Sequence, residues 1–300
     1  MFQWLSQLIG GQGSSANIPA PETVSFDASI HEKTLDWLPA SGPDRAEVTA
    51  WLSEPDTMAR VLPGDTGPQA VCVARRMGPI AYIAVVCAAP DAPQEARAGV
   101  CGSVMTALRS DGVAGFVVHA PETDGTLWTG LGFNPSHSFR RVHKTVGAFT
   151  VSGGHRGALL TDDELGSDRL TDLDEATFGL ARPTKIQGLL TAEQVEAFGF
   201  EKDDQINAAL VLRGNGDNRM RMSLAMGATL KDLGSLLHVV LVMKSGSTLE
   251  ADVRVGGQVE AILDSLEFTE AADFPTLTEY RLGQTSGIGD GDGVHLLSWV

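Results

Sequence analysis

The chain has 300 residues, 43% of them hydrophobic and 6% aromatic, with a formal net charge of -16. At roughly 150 residues per domain, that length suits two domains with ordinary buried cores. So acidic a chain repels phosphate backbones, which sets nucleic acid aside as a partner; it favours cationic small molecules or basic protein segments and equally serves solubility.

In chain order, Phe2, Leu5, Leu8 and Ile9 fall near helical spacing until Gly10 and Gly11 end the run. Residues 1–23 therefore read as a short helix that docks on the body of the protein, followed by a Gly/Ser/Pro-rich linker. The segment carries none of the positive charge of a secretory leader, and no stretch approaches ~20 apolar residues, so no contact with a membrane is expected. Residues 24–152 form the first expected domain. Periodicity marks helices over 31–38 and 44–53, strands over 69–75 and 80–88 around a Gly78-Pro79 turn, a helix over 99–108 and a strand over 114–119. A short helix over 125–131 and a closing hairpin from 138–143 and 148–152 complete it.

A Gly-rich stretch, Ser152-Gly153-Gly154-His155-Arg156-Gly157, sets the domain boundary between about 150 and 165. The second expected domain, 160–283, repeats the order of the first. Helices are expected over 172–178 and 183–190, strands over 206–213 and 219–226, then helix 230–243, strand 248–253, helix 259–266 and strand 276–282. Such repetition predicts an α/β (α+β) fold of two similar modules, each a mixed, mostly antiparallel sheet flanked by helices. Residues 284–300 read as a Gly/Asp-rich tether ending in an apolar run, Val294 to Val300, that docks on its own chain or on a neighbour. A homo-oligomer held through the apolar termini is one expectation.

The three cysteines, Cys72, Cys87 and Cys101, form no CxxC pair and predict no disulfide, which fits a reducing, cytoplasmic setting. The seven histidines lie too far apart for metal-ligand spacing, so no metal is expected. Neither a Gly-x-Ser-x-Gly elbow nor a Gly-x-x-x-x-Gly-Lys-Ser/Thr loop is present.

The most informative segment runs from Val85 to Phe133. An apolar strand, Val85-Val86-Cys87, leads through Pro90 into a small-residue loop, Ala96-Arg97-Ala98-Gly99-Val100-Cys101-Gly102-Ser103, and then an apolar helix. A strand entering a glycine-containing turn and a helix leaves backbone N–H groups unpaired, and with the helix dipole they suit an anion. A packing turn has the same appearance. Downstream come the strand Gly115-Phe116-Val117-Val118-His119-Ala120, then Leu127-Trp128-Thr129-Gly130-Leu131-Gly132-Phe133 and Ser138-Phe139-Arg140-Arg141.

That order resembles the GNAT superfamily of acyl-CoA-dependent N-acyltransferases. The resemblance implies that the strands before and after the helix splay apart, with acyl-CoA wedged between them and its pyrophosphate on the loop amides. Matching the first glycine of the family's Arg/Gln-x-x-Gly-x-Gly/Ala pattern to Gly99 puts Ala96 at the Arg/Gln position and Cys101 at the last. The second half resembles the family too, through Asp172-Leu173-Asp174-Glu175-Ala176-Thr177-Phe178-Gly179-Leu180-Ala181-Arg182 and through Leu266-Glu267-Phe268, where Glu267 replaces the Gly of Leu-Gly-Phe. Its stretch Ala225–Leu230 lacks the loop pattern.

The resemblance implies acetyl-CoA as co-substrate, bound by Val85, Val86, Arg97, Ala98, Gly99, Val100, Cys101, Gly102, Ser103 and Trp128. His119 and Glu122, just after the second splayed strand, are the candidate bases. Asp174, Glu175 and Arg182 are the candidates for holding a cationic acceptor, a small amine or basic peptide; a first-turn charge and a structural ion pair are their alternatives. Among His137, Arg140, Arg141, His143 and Lys144, a basic cluster could meet a CoA phosphate or form a solvated strand face. Trp128 stands where the family often has a Tyr general acid, and an indole N–H donates a hydrogen bond without supplying a proton. The family expects about three strands before the loop, and only two are read here. The readings left open are an N-acyltransferase and a catalytically silent tandem scaffold for binding or assembly.

Overall fold

The structure, a computed structural model, describes residues 22–39, 43, 45–65, 67–93, 95–147, 158–161, 164–214, 216, 218–285 and 294–295. The expected helix within 1–20, the strand over 148–152, the Gly/Asp-rich tether and the apolar end beyond His295 lie outside the described residues.

Early elements are β1 (Val24–Ser25), α1 (Ala28–His31) continued by a 3-10 turn (Glu32–Trp37), and α2 (Arg45–Leu52). Three strands follow, β2 (Thr57–Gly64), β3 (Gly67–Met77) and β4 (Ile80–Ala88), then α3 (Glu95–Ser110), β5 (Gly115–Pro121), α4 (Gly125–Gly130) and β6 (Asn134–Thr145). The sequence repeats with β7 (Ala158–Thr161), α5 (Ser167–Phe178), α6 (Pro183–Thr191), β8 (Val195–Lys202), β9 (Gln205–Gly214), β10 (Arg219–Gly227), α7 (Leu230–Met243), β11 (Thr248–Arg254) and α8 (Gln258–Ser265). It closes with β12 (Thr269–Glu270), β13 (Leu277–Gly283) and β14 (Val294–His295). The strand thought to be lacking is β2, so in each half three consecutive strands lead into the long helix, β2–β4 before α3 and β8–β10 before α7.

Two compact units result, and each takes its last strand from the other half of the sequence. Among the described residues, those from 22 to 137 group with Leu277–Thr285, and those from 138 to 276 group with Val294–His295. In the first unit the strand order is β1-β2-β3-β4-β5-β13, and in the second β6-β11-β10-β9-β8-β7. All neighbours are antiparallel except β4–β5 and β10–β11.

Local chemistry explains the elements. The β3 and β4 strands read as nearly continuous apolar runs because both of their faces are covered. On one face Cys72, Ala74, Ala81, Ile83, Phe116 and Val118 pack under Val100, Val104 and Met105 of α3 and Trp128 of α4. In the second unit Leu210, Leu212, Leu249 and Val253 pack under Leu233, Leu237 and Val240 of α7, while Val211, Leu224 and Met226 meet Leu170, Leu173 and Ile186 of α5 and α6 on the other face. Thr229 caps α7: its hydroxyl accepts the Asp232 N–H at 3.2 Å and donates to the Asp232 carboxylate at 2.6 Å. Pro183 opens α6, and Gly179, at φ 80°, closes α5.

The repeat is visible in one turn. Gly132 follows α4 at φ 88°, and the Phe133 N–H reaches the Trp128 carbonyl. Glu267 follows α8 at φ 62°, and the Phe268 N–H reaches the Leu263 carbonyl. Glu267 therefore holds a left-handed conformation that its glycine counterpart adopts without a Cβ penalty.

Candidate functional site

The parallel pairing of β4 with β5 ends early. It runs from Ile80 opposite Gly115 to Ile83 opposite Val118, although β4 continues to Ala88 and β5 to Pro121. Over these outer residues β4 keeps only β3, through pairs such as Val85 with Val73, and β5 keeps only β13, through pairs such as His119 with Glu279. The two strands diverge, and among the described residues no strand lies on the backbone edge of residues 84–88 that faces β5. An unpaired edge presents a row of N–H and C=O groups to whatever enters the gap. Val85 and Val86 both lie on this stretch.

Residues 97–103 are not a loop. Pro93 and the acidic Glu95 start α3 at Glu95, so Gly99, Val100, Cys101, Gly102 and Ser103 lie within the helix, where each N–H bonds a carbonyl four residues back. Ala98, Gly99, Val100, Cys101 and Gly102 are buried against the sheet, and the Ser103 hydroxyl lies 2.6 Å from that of Thr23. An anion at this helix would meet only first-turn amides and Arg97. The small residues that suggested a phosphate loop instead let the helix lie close to the strands.

Arg97 joins the start of α3 to the turn after β5. Its guanidinium makes two bonds to Asp124, at 3.0 and 2.5 Å, in the turn after β5. It is also close enough to Cys87 on β4 to pull that thiol down, although burial prevails and pushes Cys87 up to about 12. The Arg97 Nε is buried and has no hydrogen-bond partner among the described residues; the same holds for the Trp128 Nε1. Trp128, 2% exposed, meets Phe133 edge-on, with ring centroids 5.4 Å apart. Buried donors left unpaired cost about 1–3 kcal/mol each, and the Thr57 hydroxyl of the same unit is a third such group.

His119 is the first β5 residue past the last β4 pair. Its Nδ1 lies 3.3 Å from the Tyr82 hydroxyl and its Nε2 lies 3.1 Å from the Glu279 carboxylate, with the ring 2% exposed. Burial by itself would raise the Glu279 carboxyl, but bonds from His119 and from Arg281, whose Nε is 2.7 Å away, hold it at about 2. Glu122 is exposed in the 3-10 turn after β5. The two candidate bases are thus not used alike: His119 is built into a network, and its carboxylate partner is Glu279. Sequence reading missed Tyr82 and Glu279, since the latter lies 160 positions away.

The second unit differs at each corresponding point. Pairing of β10 with β11 stops at Arg221 opposite Glu250. Beyond that point β14 lies on β10, with His295 opposite Met226 and Val294 opposite Gly227, while β9 holds the other edge at the same residues. The gap's β10 edge is therefore occupied by the chain's own C-terminal segment. By register, Asp252 corresponds to His119, Arg141 to Glu279 and Arg221 to Tyr82. Asp252 is bound by Arg141 at 2.7 and 3.0 Å and by Arg221 at 2.6 Å. Burial would raise its carboxyl, and the two guanidinium groups outweigh burial and lower it.

Asp174 and Arg182 do come together, as a buried bidentate ion pair with the guanidinium 3.6 Å from the Phe178 ring centroid. The pair is the structural alternative that the sequence offered for these residues; Glu175 is exposed on the same helix. The basic cluster is likewise neutralised. Arg140 contacts Glu260, Asp264 and Glu270, Arg141 contacts Asp252, and Lys144 contacts Glu267. All three cysteines are free and buried. Among the described residues no helix is long and apolar enough to cross a membrane, and no group of three or more His, Cys, Asp or Glu could hold a metal ion.

No protein-family model matches the chain. No curated protein matches it either. Solved structures do. A Pyrococcus horikoshii protein whose acetyltransferase assignment is provisional superposes with a TM-score of 0.70 at 10% identity, covering 96% of this chain and 98% of that one. A tandem GNAT protein of the clavulanic acid biosynthesis pathway gives 0.61 at 11% identity, over 87% and 98% of the two chains. A GCN5-related N-acetyltransferase of Anabaena variabilis gives 0.62 at 11% identity, over 87% and 72%. The chain has the tandem GNAT fold, with mixed α/β sheets flanked by helices.

Proposed function

We propose that this chain is an acyl-CoA-dependent N-acyltransferase, with acetyl-CoA as donor, and that its donor site is the gap between β4 and β5 of the first unit. The observation that carries this reading is the pairing that stops at Ile83 and Val118 while both strands continue. Pantetheine is a chain of amides, so the open edge of residues 84–88 can bond it as it would bond a strand. The buried Trp128 N–H offers a hydrogen bond to the thioester end, and Arg97 exchanges its Asp124 contact for the donor's diphosphate. Acetyl-CoA supplies an activated acyl group whose thiolate is a fair leaving group, so the indole at Trp128 need only donate a hydrogen bond. A net charge of -16 favours a cationic amine as acceptor. Three free cysteines suit a reducing, cytoplasmic setting.

The silent-scaffold reading applies to the second unit, where β14 lies on the β10 edge of the gap and Thr229 and Asp232 already cap the long helix. Isothermal titration with acetyl-CoA tests the assignment, with one site per chain expected. Arg97→Met should weaken binding about tenfold and Asp124→Asn should not weaken it, since the loss of one charge-assisted contact is worth about 1.5 kcal/mol or more. Absence of binding at millimolar acetyl-CoA, or a site unaffected by Arg97→Met, refutes the donor site.

A further inference from the structure

His119 has neighbours of opposite kinds on its two nitrogens. Glu279 is ionised at neutral pH, held so by His119 and Arg281, and a carboxylate only accepts hydrogen bonds. The Nε2 facing it at 3.1 Å therefore carries the hydrogen. In the neutral ring Nδ1 is then a lone pair, and the Tyr82 hydroxyl, 3.3 Å away, donates to it. The cross-strand pairing of His119 with Glu279, and of Tyr82 with Val117 two residues earlier on β5, fixes this order through backbone register. The arrangement is that of a hydroxyl, an imidazole and an orienting carboxylate, as in nucleophilic triads, with a phenol in place of an alcohol.

Its location adds to the argument. His119 stands where β5 leaves β4, at the inner end of the open edge. Each of the three corresponding positions in the second unit holds a permanent charge: Arg221, Asp252 and Arg141. One fold thus carries the same three positions twice, once as a hydroxyl, an imidazole and a carboxylate in one hydrogen-bonded chain and once as a carboxylate between two guanidinium groups. A purely structural polar cluster has no need of that distinction.

We propose that Tyr82, His119 and Glu279 form a proton relay that deprotonates the acceptor amine in the first unit. The inference rests on the donor-site reading above. As the amine nitrogen attacks the thioester carbonyl, a C–N bond forms and the C–S bond breaks. The proton on that nitrogen passes to the Tyr82 oxygen while the Tyr82 hydroxyl proton moves to His119 Nδ1. The resulting imidazolium lies against the Glu279 carboxylate, and its proton returns through Tyr82 to the departing CoA thiolate, leaving amide, free thiol and the original protonation states. Tyr82 is the group that meets the substrate; His119 and Glu279 act through it. The charged groups facing the imidazole are Glu279 and Arg281 on β13, with Tyr82 on β4 and, beyond it on β3, Arg75 paired to Glu54.

The test uses the full chain. With histidine rings labelled with nitrogen-15, His119 is expected as the Nε2–H tautomer both without and with acetyl-CoA. An Nδ1–H tautomer overturns the relay. In thiol-release assays with acetyl-CoA and spermidine, Tyr82→Phe, His119→Gln and Glu279→Gln should each lower kcat about 100-fold. Acetyl-CoA affinity should stay within about twofold, so the loss falls on kcat and not on donor binding. Variants that turn over like the wild type, or a wild type that binds acetyl-CoA without accelerating transfer to spermidine, overturn the relay and leave the donor site standing. Failure of the wild type to bind acetyl-CoA overturns the donor-site reading instead, and the nitrogen-15 spectra still decide the relay.

Discussion

Asp174 and Arg182 offer a direct trial of the difference between a binding residue and a structural one. Their side chains are 0% and 1% exposed, and both carboxylate oxygens receive guanidinium hydrogens. Asp174→Ala would leave the Arg182 cation buried and stacked on Phe178 with no counter-charge, at a cost of about 3–5 kcal/mol. For a unit of roughly 150 residues, each kcal/mol moves the midpoint by about 2–4 °C, so the second unit should melt about 10 °C lower. Replacing both partners by apolar groups, as in Asp174→Leu with Arg182→Met, should recover most of this loss, because neither charge then needs desolvation. A double-mutant cycle in urea, read by far-ultraviolet circular dichroism and by hydrogen exchange of α5, gives the coupling energy. The reasoning is refuted if Asp174→Ala costs less than about 1 kcal/mol while transfer to a cationic amine falls. That result would return Asp174 to the acceptor site.

Four further outcomes follow from the geometry. Removal of residues 277–300 takes away β13, which pairs β5 from Gly115 to Pro121, so cooperative unfolding of the first unit should be lost in a urea titration followed by hydrogen exchange. Removal of residues 286–300 alone takes away β14; calorimetry should still count one acetyl-CoA per chain, because α7 remains capped by Thr229. Glu279 sits at about 2 in the fold against an ordinary 4.5, so its contribution, on the order of 3 kcal/mol, is complete above pH 4.5 and is lost as pH falls toward 2. The stability gap between wild type and Glu279→Gln should therefore shrink over that window in urea titrations at successive pH values. Glu267→Gly, which relieves a left-handed non-glycine residue, should raise the midpoint of the second unit by an amount corresponding to about 1 kcal/mol.

What could be read from the residues was local. The helix over 230–243 has its cap, acidic first turn and apolar face within one window, and the Leu131-Gly132-Phe133 turn carries its left-handed glycine where the turn needs it. Of the strands that were missed, two long ones escaped for local reasons as well. Thr57–Gly64 contains Arg60, Pro63 and Gly64 and lies half-buried along most of its length, so no alternation shows. Val195–Lys202 contains Gly199, where a Cβ would come within 2.6 Å of Leu165, a packing need that looks like a turn signal in sequence. The reading of 96–103 as a loop failed because glycine serves two purposes; here it permits close approach of helix to sheet, and Pro93 was the better guide to where the helix starts. No window could reveal that β13 completes the first unit, since that pairing joins residues about 160 positions apart. Glu279 was invisible as a partner of His119 for the same reason.

On the proposed function, the two units differ in everything that transfer would require. Such a gap would need an open strand edge, a helix start free to meet phosphate, and a hydrogen-bonded chain able to carry a proton. In the first unit residues 84–88 supply the edge, Arg97 stands at the helix start in exchangeable contact with Asp124, and His119 lies between a phenol and a carboxylate. Each requirement fails separately in the second. Val294 and His295 take the edge, Asp232 places a carboxylate inside the first turn of α7, and Asp252 is fixed between two guanidinium groups. Restoring any one of these would not restore the others, so conversion of Arg221, Asp252 and Arg141 to the residues of the first unit should produce no second donor site. The buried ion triad has a role that survives the loss of chemistry: Asp252 ties β11 to β6 and β10 through side chains, beyond the point where β10 and β11 cease to pair through their backbones.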